Sequence, residues 1–268
     1  LKRQLSESRR GPAVLKIDAK PGLAPADYSE RASNLIAKLG GLFRFIVFDL
    51  GSDISGLIES VEYFSDVFVD LIDDPENPFR SPADETTTFY QVVNRTNPNS
   101  PRLSISDCEP FVLPDDPGLP SKDPADYIRE NRRAPIARPL HRLARKILGA
   151  SVGVALGGGA AFGISHLGVL KVLEDNDVPI DLVAGCSQGS IIGVGYSAGV
   201  SVDDMIEIAR QLGKKRNFLR PVDPTFMGPG FLAGNRMIEI FTQYLNGHET
   251  FEDLVLPCRT IATDIESG

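Results

Sequence analysis

Short apolar runs alternate with a helix-like stretch along the first half of the chain. Residues 28–39 place apolar side chains at helical spacing and are followed by Gly40 and Gly41, which predicts a helix that ends there. Short apolar runs are typical of buried parallel strands, and the predicted strands are Ala13–Ile17, Phe45–Leu50, Val67–Ile72, Phe89–Asn94 and Phe111–Leu113. The alternation predicts an α/β layer with a parallel sheet.

The second half continues the alternation, with glycines between the elements. Val152–Leu156 is a predicted strand that runs directly into Gly157-Gly158-Gly159, and a helical pattern follows this loop. A strand, a glycine loop and a helix together present free backbone N–H groups at a helix N-terminus. Two ligands fit such a loop: a phosphate, or the oxyanion of an acyl-transfer intermediate.

A second predicted strand, Ile180–Ala184, leads into Gly185-Cys186-Ser187-Gln188-Gly189, which matches the G-x-S-x-G nucleophile elbow. In that motif the serine lies on a sharp turn between strand and helix, and the glycines keep side chains out of the crowded turn. A second match, Gly195–Gly199 with Ser197, has no strand before it. Ser187 is therefore the predicted nucleophile.

A serine nucleophile needs a base, and the sequence leaves its identity open. The three histidines are His141, His166 and His248, and none of them follows a late strand as the chain order of hydrolases requires. A histidine base and a direct pairing of Ser187 with a carboxylate both remain as hypotheses.

Composition and charge exclude several classes of protein. The formal net charge of −8 argues against general nucleic-acid binding, so we expect no nucleic-acid partner. The 3 cysteines are far apart, which favours neither disulfides nor a zinc site and predicts a cytoplasmic location. No apolar run approaches the roughly 18–20 residues of a membrane-spanning helix.

Seven basic residues against one acid mark the stretch from Arg129 to Lys146, with a short predicted helix at Pro139–Leu148. This stretch is either a domain-connecting helix with a solvated basic face or a contact for anionic lipid head groups, which would place the protein peripherally at a membrane. We expect three segments: residues 1–128, a basic linker and helix at 129–149, and residues 150–268.

The first segment carries one feature of a nucleotide hydrolase. Asp49, at the end of a predicted strand, stands where such a domain places its magnesium-binding carboxylate, but the phosphate loop G-x-x-x-x-G-K-[ST] is absent from the sequence. The runs Phe45–Leu50, Val92–Arg95 and Val112–Asp116 resemble the later half of the partitioning and septum-placement ATPases. We expect a P-loop-NTPase-like, non-catalytic α/β region in which Asp49 is structural.

The second segment resembles the patatin-like phospholipases, and within them the neuropathy target esterase branch. The residues that carry the resemblance are His141–Arg145, Gly157–Gly163, His166–Leu170, Gly185–Gly189 and Thr263–Ile265. The resemblance implies part of a three-layer patatin-like fold with a mainly parallel sheet. It also implies a serine esterase that hydrolyses phospholipid or lysophospholipid esters, needs no metal or organic cofactor and forms an acyl-enzyme.

The resemblance also implies the roles of the site residues. Ser187 takes the nucleophile position, and the backbone amides of Gly157, Gly158, Gly159 and Ala160 take the oxyanion hole. The family's catalytic aspartate lies in a later Asp-Gly-Gly or Asp-Gly-Ala. The chain has no Asp-Gly dipeptide, so we expect that aspartate beyond Gly268, and Asp264 is the substitute to test.

Two departures from the family loop G-G-G-x-[KR]-G favour an alternative. Ala160 stands where the third glycine of that pattern belongs, and Phe162 stands for the basic residue. The backbone donors are expected to survive the change to alanine only if Ala160 keeps a negative φ. The alternative function is a catalytically silent, membrane-associated regulatory module.

Overall fold

The computed structural model describes residues 25–49, 61, 65–72, 87–96, 111–120, 123–213, 235–243, 245, 247, 250–252, 254–264 and 266–267. The chain divides into two compact units, residues 1–70 with 80–90 and residues 71–79 with 91–268. The predicted strand Ala13–Ile17 lies outside the described residues.

The predicted first helix is confirmed, whereas the strand predicted after it is wrong. Helix α1 spans Pro25–Gly40, and the carbonyl of Leu39 accepts hydrogen bonds from the two residues that follow the glycines. Residues 45–49 form no strand, and Phe45 and Val47 are 58% and 90% exposed. An apolar run becomes a buried strand only where ladder partners and covering layers exist, which the run itself does not encode.

Three later strands of the first half form one sheet in the order β1-β2-β3. Strand β1 spans Val67–Ile72, β2 spans Thr88–Thr96 and β3 spans Phe111–Pro114. Strands β2 and β3 pair in parallel, with Val92 opposite Phe111, and both of these side chains are buried. The predicted α/β character with parallel pairing is confirmed here, because short apolar runs of this kind need cover on both faces.

Helices α2 (Pro124–Glu130) and α3 (Ala137–Ile147) follow strand β3. Three basic side chains of α3 contact residues in other parts of the chain. The Arg145 guanidinium donates to both carboxylate oxygens of Asp181 at 2.6–3.1 Å, and Asp181 also accepts from the backbone N–H of Val152. Arg142 donates to the Val255 carbonyl, and its guanidinium lies over the Phe111 ring, which Lys146 also contacts. The basic face of α3 is therefore only partly solvated.

The second sheet is fully parallel and has the order β4-β5-β6. Its strands are β4 (Gly153–Leu156), β5 (Leu182–Cys186) and β6 (Cys258–Ile261). The β5 strand starts two residues later than predicted and runs on through Cys186. Because the three strands are parallel, the loops that follow them emerge at the same edge of the sheet.

The described residues of this half also form the helices α4 (Ser165–Asp175), α5 (Gln188–Ser197), α6 (Val202–Leu212) and α7 (Asn235–Thr242). The core between strands and helices contains Leu156, Leu170, Val183, Ile192 and Val202, all buried. Ser201 caps α6 by accepting from the Asp204 N–H. Within the described ranges, no helix is long and apolar enough to cross a membrane.

The Arg145–Asp181 ion pair is expected to stabilise the larger unit. Asp181 is 3% exposed and Arg145 is 26% exposed, so Arg145→Met leaves a buried carboxylate without its partner. We expect a loss of about 3 kcal/mol in the free energy of unfolding, measured by urea denaturation. The matched control is Arg129→Met, which breaks the solvent-exposed Arg129–Asp126 pair and is expected to cost less than about 1 kcal/mol. Equal losses in the two variants would contradict a structural role for the buried pair.

Candidate active site

Ser187 lies on the sharp turn between β5 and α5, with its side chain exposed. Its backbone has φ 51° and ψ −123°, a region that side-chain-bearing residues rarely adopt and that costs on the order of 1–3 kcal/mol. Such strain at the junction of a strand and a helix is the geometry of the nucleophile elbow. In a nucleophile elbow this geometry projects the serine hydroxyl away from both elements.

The two glycines of the motif are required by backbone packing. A Cβ on Gly185 would lie 2.6 Å from the Gly189 carbonyl oxygen and from the Ser190 nitrogen. A Cβ on Gly189 would overlap the Leu156 carbonyl oxygen and would lie 2.7 Å from that of Gly157. Since backbone atoms cannot move aside as a flexible side chain can, any larger residue at either position would displace the turn.

The glycine loop that follows β4 lies directly beside this turn. A Cβ built on Gly158 would be 3.4 Å from the Cβ of Ser187. A short 3-10 turn spans Ala160–Ile164, and a Cβ on its Gly163 would meet Gln188 at 2.5 Å. The structure therefore brings the predicted nucleophile and the predicted oxyanion loop together.

Ala160 has a left-handed backbone conformation. Its φ is +47°, so the condition of a negative φ is not met. A left-handed backbone at a residue with a Cβ costs about 1–2 kcal/mol, yet the turn adopts it here. Phe162, which stands where the family has a basic residue, is 89% exposed two residues further on.

The two described histidines each bond a backbone carbonyl. The Nε2 atom of His166 lies 2.9 Å from the Gly157 oxygen, and the Nε2 atom of His141 lies 3.3 Å from the Ile128 oxygen. Because a carbonyl only accepts, each Nε2 carries the hydrogen, and Nδ1 is then the acceptor atom of the ring. His248 lies outside the described residues.

Asp264 is engaged in its own turn. One carboxylate oxygen accepts from the backbone N–H of Glu266 at 3.0 Å, and the other accepts from the Ser267 hydroxyl at 2.6 Å. These hydrogen bonds, with that of Ser267 the largest cause, lower the pKa of the Asp264 carboxyl. A carboxylate that is stabilised in this way is a weaker base.

Two other nucleophilic groups near the sheet are inaccessible. The side chain of Ser197, in the second G-x-S-x-G match, is buried at the end of α5. The Cys258 thiol on β6 is also buried, and burial raises its pKa, which favours the unreactive thiol over the thiolate. No group of three or more potential metal ligands occurs among the residues that the structure describes.

Comparison with known proteins relates the residues of this site to a protein family. Residues 154–266, which run from β4 past β6 and include both the glycine loop and the elbow, match the family model of the patatin-like phospholipases. This part of the chain belongs to the patatin-like phospholipase family. The resemblance inferred from the motifs is thereby confirmed.

Relatives of this patatin-like segment include three kinds of curated protein. The chain is 38% identical over 146 residues to human "Patatin-like phospholipase domain-containing protein 6", a match that covers 52% of this chain and 10% of that protein. It is 38% identical over 137 residues to "Lysophospholipase NTE1" of Coccidioides immitis, covering 50% and 9%. It is 35% identical over 129 residues to "Neuropathy target esterase sws" of Drosophila grimshawi, covering 47% and 9%.

These names place the patatin-like segment in the neuropathy target esterase branch. The chain spans about a tenth of the length of the curated relatives it matches.

The strain at Ala160 leads to a stability prediction for the patatin-like segment. Ala160→Gly removes the left-handed strain at φ +47° and adds chain entropy to the unfolded state, with an expected net gain of about 0.5–1 kcal/mol in the free energy of unfolding. Its control is Ala161→Gly in the same 3-10 turn, which lacks a positive φ and is expected to lose about 0.5–1 kcal/mol. Chemical denaturation measures both, and a loss of stability in Ala160→Gly would contradict the strain.

Proposed function

We propose that the protein is a serine esterase acting on phospholipid or lysophospholipid esters, with Ser187 as its nucleophile. The observation that carries the proposal is the position of Ser187: a strained, exposed elbow beside a glycine loop. A hydroxyl next to free backbone amides is the arrangement that acyl transfer requires. The names of the relatives, a lysophospholipase and a patatin-like phospholipase, support the lipid substrate class.

In the first half of the reaction the hydroxyl oxygen of Ser187 attacks the ester carbonyl carbon. A base takes the hydroxyl proton, the new C–O bond forms, and the carbonyl oxygen becomes an oxyanion. The backbone N–H groups of Gly158 and Gly159, with Gly157 and Ala160 at either side, are the proposed donors to this oxyanion. Preorganised donors of this kind are worth about 10²–10³ in turnover each.

In the second half the tetrahedral intermediate collapses. The ester C–O bond breaks, the leaving alcohol takes the proton from the base, and Ser187 carries the acyl group. Water, deprotonated by the same base, then attacks the acyl carbon. The bond between this carbon and the Ser187 oxygen breaks, the fatty acid leaves, and the base returns its proton to the Ser187 oxygen. No step in this sequence uses a metal ion or an organic cofactor.

The general base is proposed to be an aspartate outside residues 1–268. Nε2 of both His141 and His166 is committed to donating to a carbonyl, and the carboxylate of Asp264 is held in its turn with a lowered pKa. Direct pairing of serine with aspartate is also what the patatin-like resemblance implies. Asp264→Asn in a complete protein is therefore expected to leave turnover unchanged.

Peripheral membrane contact is proposed with the substrate class, since phospholipid esters reside in membranes. The exposed ring of Phe162, in the turn after the glycine loop, supports it. The basic helix α3 supports it less, because Arg142, Arg145 and Lys146 all contact protein groups.

Replacement of the candidate nucleophile tests the proposal. In a complete protein, Ser187→Ala is expected to reduce hydrolysis of a lysophospholipid to background and to abolish covalent capture by a fluorophosphonate probe. The matched control is Ser197→Ala, which alters the serine of the second G-x-S-x-G and is expected to retain activity because that side chain is buried. Retention of activity by Ser187→Ala would refute the assignment.

The same experiment distinguishes the alternative of a silent regulatory module. A wild-type protein that neither hydrolyses lysophospholipid nor reacts with the probe would favour that module, with Ala160 and Phe162 as the residues that depart from the active pattern. The φ of +47° at Ala160 does not meet the condition set for the backbone donors and so counts toward this module. The strained, exposed elbow of Ser187 beside the glycine loop counts against it.

A further inference from the structure

We infer that His166 is a positioning residue that orients the oxyanion donor of the glycine loop; this inference rests on the proposed esterase function. The ring does not touch the reacting atoms in this role. Its Nε2–H donates to the Gly157 carbonyl oxygen at 2.9 Å, and that carbonyl begins the loop beside Ser187.

The link from this hydrogen bond to the oxyanion is the planarity of the peptide unit. The Gly157 carbonyl and the Gly158 N–H belong to the same peptide group, and in a trans peptide they point in opposite directions. Residues 157–159 are all glycine, so the backbone torsions on either side of this group have little steric restriction. A donor that holds the carbonyl therefore also sets the direction of the Gly158 N–H.

The elbow confines the same carbonyl from a second side. A Cβ on Gly189 would lie 2.7 Å from the Gly157 oxygen, so the start of α5 packs closely against it. Gly158, in turn, lies beside Ser187, with its Cβ position 3.4 Å from that of the serine. The Gly157–Gly158 peptide is thus located between His166, the elbow helix and the candidate nucleophile.

His166 is well placed for this task because its helix is packed into the core. It is the second residue of α4, and the next residue, Leu167, is buried in the core together with Leu170. The contact spans nine residues of sequence and closes the loop and the 3-10 turn between β4 and α4.

A set of substitutions in the complete protein tests the inference. His166→Leu removes the donor and is expected to lower kcat on a lysophospholipid by about 10- to 100-fold, with KM changed less than about 2-fold. The reason is that a misoriented Gly158 N–H weakens binding of the oxyanion, which develops mainly in the transition state. His166→Gln, whose amide nitrogen reaches about as far as Nε2, is expected to recover kcat to within about 3-fold of the wild type. The rate of fluorophosphonate labelling should follow kcat across the series.

The matched control is His141→Leu. His141 makes the same kind of bond, from Nε2 to the Ile128 carbonyl, but on helix α3. Its loss is expected to lower Tm without changing kcat. If His166→Leu fails to fold, His166→Asn takes its place, because the asparagine side chain is too short for its amide to reach the Gly157 carbonyl. His166→Asn is then compared with His166→Gln.

The outcomes separate the inference from the function on which it rests. Wild-type kcat in His166→Leu or His166→Asn would overturn the inference. Equal loss of kcat in the glutamine variant and the variants without the donor would also overturn it, since the ring rather than its N–H would then be needed. Activity that persists in Ser187→Ala would instead refute the proposed esterase, whatever the histidine variants do.

Discussion

The close approach of helix α5 to the end of strand β4 is the constraint on which the site depends. Gly189 lies so near the carbonyls of Leu156 and Gly157 that no side chain fits between them. This contact brings the loops after two neighbouring parallel strands into one place. Without it, Ser187 and the glycine loop would be separate features of the same sheet edge.

The strain at Ser187 and at Ala160 is supported by that packing. Both residues have positive φ values, 51° and 47°. Each of these backbone conformations costs about 1–2 kcal/mol relative to an unstrained one. The helices that follow these turns carry core residues, Ile192 on α5 and Leu167 on α4. Burial of such side chains contributes roughly 1.5–3 kcal/mol each, which is enough to offset the strain.

The parts of the fold that local patterns determine could be predicted from the sequence. Val67–Ile72 is a strand with the predicted bounds, and the elbow glycines imply a turn that only glycine permits. The run Phe45–Leu50 is as apolar as the strand Val67–Ile72, so composition does not distinguish the two. Only one of them forms a strand because pairing depends on partners that are remote in sequence. The membership of the patatin-like segment was expected from a resemblance to that family, not from the spacing of its glycines and serine alone.

The contacts that sequence reasoning missed are those that one side chain makes with another part of the chain. His166 stood out only as a candidate base, since a one-dimensional pattern cannot show which carbonyl an imidazole bonds. Similarly, the contacts of Arg145 with Asp181 and of Arg142 with Val255 could not be read from a run of basic residues. Such contacts depend on the packing of α3 and α4 against the sheet, which is settled only in three dimensions.

The most direct test of the account is a crystal structure of the complete protein after reaction with a fluorophosphonate. We predict a phosphorus atom bonded to the Ser187 oxygen, with the phosphoryl oxygen about 2.7–3.1 Å from the backbone nitrogens of Gly158 and Gly159. An adduct on another residue, or a phosphoryl oxygen directed away from the glycine loop, would contradict the account.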